Sequence, residues 1–150
     1  MCRKIILFEA NEIPVRVFDD FISANNNSTL AKIIPKSKQY ITVSKDKSEL
    51  SPWITWPTLH RGVNDEEHGI FDFGQNLSAV DKSFPPIWDI LVKEDIPVGV
   101  FGPLHSSPLP QNHDKYKFFV PDTFAKSSKC FPSNIEIFQK FNLSMARKSS

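Results

Sequence analysis

The stretch KIILFEANEIPVRVFDDFISAN, Lys4 to Asn25, decides how the fold is read. Its opening, Lys4 to Ala10, is an apolar run rich in β-branched and aromatic residues. Being apolar on both faces, it predicts a central parallel strand. Pro14 then stands at a favoured first helical position, and Phe18, Phe21 and Ile22 fall at i, i+3 and i+4. Asn25 to Asn27 supply a stop. A strand followed at once by a helix opens a βα unit.

The alternation continues outward. STLAKII is weakly helical and is limited by Pro35, and YITVS, Tyr40 to Ser44, predicts a short strand. PPIWDILVKED, from Pro85, sets Ile87, Trp88, Ile90 and Leu91 on one face and predicts a helix. IPVGVFG, Ile96 to Gly102, predicts another strand, starting near Val98 because Pro97 cannot donate to a ladder. HSSPLPQNHDKYK reads as a loop. SNIEIFQKFNL predicts a last helix: Ser133 caps it, Glu136 completes a capping box, and Ile137, Phe138 and Phe141 form a stripe. Strands alternating with helices predict an α/β fold, a mostly parallel sheet with flanking helices. Ligands of such sheets bind beyond the carboxyl ends of the strands, where EANE and GPLHSSP stand. Three strands are few, and the chain runs out at MARKSS just past a helix. The expectation is therefore residues 1–150 as the N-terminal part of one larger domain, with a complete small domain as the alternative.

Composition bounds the functions. A length of 150 residues suits one domain, and 40 % hydrophobic content with 13 Phe supplies a core. The formal net charge is +1, with Lys and Arg scattered among Asp and Glu. Binding of nucleic acid or a membrane surface through bulk charge is not indicated. The basic stretch holding Lys36, Lys38, Lys45 and Lys47 reads as a solvated loop. Cys2 and Cys130 form no C-x-x-C; two free thiols in a reducing compartment is the simpler reading, with a disulfide left open. The N-terminal apolar run is too short for a signal peptide and no run approaches a membrane span, so a cytoplasmic location is expected. The five Gly form no dinucleotide fingerprint or P-loop, and G-x-S-x-G is missing.

SPWITWPTLHRGVNDEEHGI, Ser51 to Ile70, carries the chemistry. Pro52 keeps Ser51 extended, and a helix starting at Pro57 puts Thr55 just before its N-terminus. Free N–H groups and the dipole favour an anion there. Thr55 is then either a helix cap or a hydroxyl able to attack a phosphoryl or sulfuryl group beside a cation. Thr58, a turn later, is placed to donate to a bound oxyanion. Among the histidines, His68 before Gly69 reads as packing a turn and His60 as a surface residue. His105, in the loop after a strand, is the best placed of the four to touch substrate.

The T-W-P-T of Thr55 to Thr58, followed by the E-H-G-I of Glu67 to Ile70, resembles the type I phosphodiesterase and nucleotide pyrophosphatase branch of the alkaline phosphatase superfamily. IILFEANE resembles the first strand of a subgroup with E-L-N-E at this point. PPIWDILVKEDIPVGVFGPLHSSPLP and FFVPDTFA resemble further segments in the same order. The resemblance implies a metal-dependent hydrolase of phosphodiester or related phosphate or sulfate ester bonds, acting through Thr55 and a covalent intermediate. Thr58 stands where relatives often carry an oxyanion-holding Asn. Asn11 or Glu12, with Thr55, would serve the first of two divalent ions, zinc or manganese, whose other ligands lie outside this chain. The implied substrate is a small-molecule or glycan-linked ester rather than a nucleic acid polymer. A phospho-group transferase acting on sugars or lipids and a non-catalytic accessory domain are the alternatives, and the 150-residue piece alone is expected to be inactive.

Overall fold

The computed structural model describes residues 4–148. They fall into two compact units, residues 4–43 and 44–148.

In the first unit Pro14 is the N-cap of α1 (Val15–Ala24), and Asn25 ends it by giving its backbone N–H to Phe21 O at 2.9 Å. Ser28 caps α2 (Thr29–Ile33), its hydroxyl accepting from Ala31 N, and Pro35 then sits in a single 3-10 turn, Ile34–Lys36. The two strands expected here are absent. Lys4 to Ala10 and Tyr40 to Val43 carry no ladder, and Ile5, Ile6, Phe8, Ile41 and Val43 are close to nine-tenths exposed. A strand exists by pairing with a neighbour; within this unit neither run meets one, so strand-forming composition does not become sheet.

The second unit holds α3 (Pro52–Arg61), α4 (Asp65–His68), α5 (Val80–Ser83) and α6 (Ile87–Lys93), then β1 (Gly99–Phe101), β2 (Phe118–Val120) and α7 (Glu136–Lys148). The strands are parallel, with Gly99 opposite Phe118, Val100 opposite Phe119 and Phe101 opposite Val120. The chain is thus α/β, with two parallel strands and flanking helices. The crossover between β1 and β2 is a loop with one 3-10 turn at His113–Lys115, not a helix. Val92 of α6, Val100, Tyr116 and Phe119 form the core, with Trp88, Val98, Leu109 and Phe131 against it. Tyr116 donates its hydroxyl to Asp89 of α6; burial first, then that carboxylate, pushes the phenol up. An antiparallel bridge between Phe119 and Phe131 flanks β2.

α7 departs from its expected form. The 3-10 turn Ser133–Ile135 precedes it and Pro132 stands at the cap, so the Ser133 capping box does not form. The expected stripe of Ile137, Phe138 and Phe141 is more than half exposed, while Gln139 is fully buried and donates to Asp122 O at 2.9 Å. The packing face is the one carrying Gln139, because a side-chain amide reaching a loop carbonyl fixes the helix more specifically than apolar contact does. Cys130 is a free, buried thiol, which burial pushes up; Cys2 lies outside the described residues. No helix among the described residues is long and apolar enough to cross a membrane.

Candidate functional site

The helix carrying the candidate residues begins earlier than expected. Ser51 is its N-cap, accepting from Trp53 N, and Pro52 is its first residue, so Thr55 lies inside the helix and not before it. A proline is tolerated in the first turn because that N–H has no helical partner anyway. Pro57 is the one that falls in the interior. It brings no N–H to the carbonyl four residues back, which is that of Trp53. His105 fills the gap: its Nε2 lies 2.9 Å from Trp53 O, and only an Nε2–H donor satisfies a carbonyl there. His105 is thereby fixed as the Nε2–H tautomer, and burial pushes its pKa down, keeping it neutral. The geometry demands a left-handed backbone at His105, φ 62°, which is unfavourable for a side-chain-bearing residue.

The two threonines differ. Thr55 is half-buried and its hydroxyl donates to Ser51 O of its own helix at 3.1 Å. Thr58 lies at the centre of a network. Its Oγ1 is 2.7 Å from Asp46 Oδ1 and 3.0 Å from His68 Nε2. His68 Nδ1 accepts from Ile70 N at 3.0 Å, so in the neutral ring the proton is on Nε2. The direction of the chain follows: His68 donates to Thr58, and Thr58 donates to Asp46. Asp46 Oδ1 also accepts from Asp65 N at 3.0 Å, and Oδ2 from the Ser44 hydroxyl at 2.6 Å. The buried Asp65 returns the link, accepting from the backbone N–H of Lys47, Ser48 and Glu66. Hydrogen bonding from Ser48, against the opposing effect of burial, holds its carboxyl at about 2. The Thr58 proton is therefore already in use, and the oxyanion-donor role expected of it would require breaking its bond to Asp46.

His68 packs the turn as expected: it is buried, at the end of α4, with Gly69 in the left-handed region at φ 63° closing the helix. Burial is the main cause pushing its pKa down. The expectation of a surface His60 is overturned, since it is 4 % exposed between Trp56, 5.7 Å away, and Trp88, 4.9 Å away. Once the helix starts at Pro52, His60 falls four residues after Trp56 on one stripe, a phase that could have been read. Arg61, its side chain 3 % exposed, pairs with Asp81 and reaches Phe84 O, tying α3 to the chain around α5.

The structure thus brings Thr55 and Thr58 to one side of α3, about 60° apart at 3.6 residues per turn. His105 reaches the same helix at Trp53, on the opposite side, about 200° around from Thr55. Asn11 and Glu12 form an exposed turn in the first unit, with Glu12 in the left-handed region at φ 53°. Among the described residues no three His, Cys, Asp or Glu side chains come together to hold an ion. Asp46, Asp65 and Asp122 each spend both carboxylate oxygens on N–H or O–H donors. These residues do not by themselves make a metal centre. No protein-family model, curated protein or solved structure matches the chain. What fold and site define is a class: an α/β protein whose second unit builds a hydrogen-bonded network and an aromatic cluster around one proline-containing helix.

Proposed function

We propose that the chain supplies the nucleophile-bearing part of a hydrolase of phosphodiester or related phosphate or sulfate esters, of the alkaline phosphatase type, with Thr55 as nucleophile. The ordered T-W-P-T and E-H-G-I segments support this reading. The observation that carries it is the contrast between the two hydroxyls. Thr58 is held by Asp46 and His68, whereas Thr55 rests its proton on a carbonyl of its own helix, a bond that a χ1 rotation releases. Attack by Thr55 Oγ1 on phosphorus forms an Oγ1–P bond and breaks the P–O bond to the leaving alcohol, which departs with the proton lost by the threonine; water then breaks the Oγ1–P bond, returning one proton to Thr55 and releasing a phosphate monoester from a diester substrate. Divalent ions, zinc or manganese, belong to the proposal. When bound, they would favour the alkoxide over the alcohol.

The test uses the full-length protein with zinc or manganese, on bis(4-nitrophenyl) phosphate and 4-nitrophenyl sulfate. Thr55→Ala is expected to lose at least about a thousandfold in turnover. Thr55→Ser is expected to keep activity and, after rapid quench, to show by mass spectrometry a phosphoryl group on the side chain at position 55. An unchanged rate in Thr55→Ala overturns the proposal.

A further inference from the structure

The fold gathers cations that the sequence keeps apart. On α7, Lys140, Ser144, Arg147 and Lys148 lie at i, i+4, i+7 and i+8 and so share one face. Lys126, Ser127 and Ser128, in the loop after β2, stand against that face, and with it they line an open groove of about 650 Å³. Among the described residues Leu143 is the one apolar member of the lining, and no Asp or Glu belongs to it.

The groove is held in shape by its own elements. Gln139, fully buried in α7, donates to Asp122 O at 2.9 Å, and the Thr123 hydroxyl donates to Asn142 O at 3.0 Å. These two bonds clamp the chain just before Lys126 to the helix, which sets Lys126 across the groove from three further cations. Walls of one sign focus the field between them and draw in counter-ions. The dipole of α7 favours Arg147 and Lys148 in its last turn, but it does not account for Lys126 or Lys140. Lys140 meets Glu136 at 3.5 Å with its side chain 61 % exposed, a pairing worth little and readily exchanged. Charge is segregated along the chain as well. Residues 123–150 hold five Lys and Arg against the single Glu136, a net +4, whereas residues 1–122 hold 13 against 16, a net −3.

We propose that this groove binds a compact phosphate anion carrying more than one negative charge. Four cations facing one space call for more charge than a monoanion brings. Three of them are lysines, whose ammonium groups bind as point charges and suit a tetrahedral phosphate, whereas a planar carboxylate is matched best by the arginine fork. The serine hydroxyls add donors for the remaining phosphate oxygens. The volume falls in the range of small-molecule sites. The net −3 of residues 1–122 opposes a long or flat polyanion, which would have to run past the groove, so the fit is to a compact ligand. This binding does not rest on the hydrolase reading, because none of the groove residues takes part in it and the test involves no turnover.

The test is isothermal titration calorimetry of pyrophosphate into the full-length protein, in metal-free buffer at low salt, where exposed charges are least screened. Saturable binding is expected, and Lys126→Gln is expected to weaken it at least about fivefold. Lys129→Gln removes an equal charge from the same loop but outside the groove lining, and Thr55→Ala removes the proposed nucleophile; each is expected to change the affinity less than about twofold. Citrate serves as the carboxylate probe, and phosphatidylcholine vesicles containing phosphatidic acid present the same phosphate chemistry on a membrane. Both are expected to bind more weakly than pyrophosphate. No binding of pyrophosphate, tighter binding of citrate or of the vesicles, equal losses in Lys126→Gln and Lys129→Gln, or a loss in Thr55→Ala overturns the inference.

Discussion

Thr55 and Thr58 stand one turn apart on a single helix, yet their surroundings assign them opposite energetic weights. The Thr58 hydroxyl bridges His68 and Asp46, so Thr58→Val leaves an acceptor and a donor short of a partner. That change is expected to cost about 1–3 kcal/mol, seen as a lower urea midpoint at unchanged slope. Thr55→Val removes only a back-bond to Ser51 O at a half-buried position and is expected to stay within about 0.5 kcal/mol. Equal costs for the two would mean that the Thr55 hydroxyl is held no more loosely than that of Thr58. The pair was visible in the sequence as a T-x-x-T spacing, but the difference between its members was not. It depends on Asp46, twelve residues upstream, and on His68, ten downstream, meeting at one hydroxyl, and residue type alone does not announce such a meeting. The same holds for His105, whose tautomer is set by the N–H that Pro57 lacks.

Among elements, the α3–α4 pair shows what was legible and what was not. Both Pro52 and Pro57 satisfy the rule that proline suits a first helical position, and Ser51 directly before Pro52 is the capping signal that separates them. α1, α6 and β1 follow the bounds read from periodicity to within a few residues. β2 escaped because three residues before a proline give no period to read. The α3–α4 network also makes stability depend on pH. His68 uses Nδ1 as an acceptor for Ile70 N–H, so protonation there removes the bond, and its folded pKa lies below the ordinary value of 6.5. The unfolded chain then takes up the proton first. The contribution is fully present above about 6.5 and is lost as pH falls below it toward the folded pKa. His105, also shifted down by burial, adds a change of the same sign. Asp65 acts in a lower window: its folded carboxyl is at about 2 against an ordinary 3.8, so its contribution is lost between those values. Urea midpoints followed from pH 8 to pH 5 are expected to decline, and less steeply in His68→Gln. An identical slope in that variant would remove His68 from the explanation.

For the whole molecule, apolar patterning alone does not decide what is buried. Lys4 to Ala10 has the composition of a central strand, and it forms no strand, with Ile5 89 % and Ile6 90 % exposed, while Tyr40 and Ile41 are 79 % and 87 % exposed. Strand-forming chemistry is legible in both runs, but a strand's existence depends on a neighbour that local chemistry does not contain. Two apolar runs outside any strand hold large hydrophobic side chains in solvent, a combination that favours self-association. The 150-residue chain is therefore expected to bind a hydrophobic dye such as ANS while folded and to self-associate with rising concentration. Replacing Ile6 and Ile41 together by Lys is expected to reduce both, because each charge sits at an exposed position where it discourages pairing. The same double change is expected to leave the urea midpoint within about 0.5 kcal/mol of the parent, as substitutions at exposed sites do. A loss of several kcal/mol instead would show that these side chains are packed, and that the strands read from the sequence do form in solution.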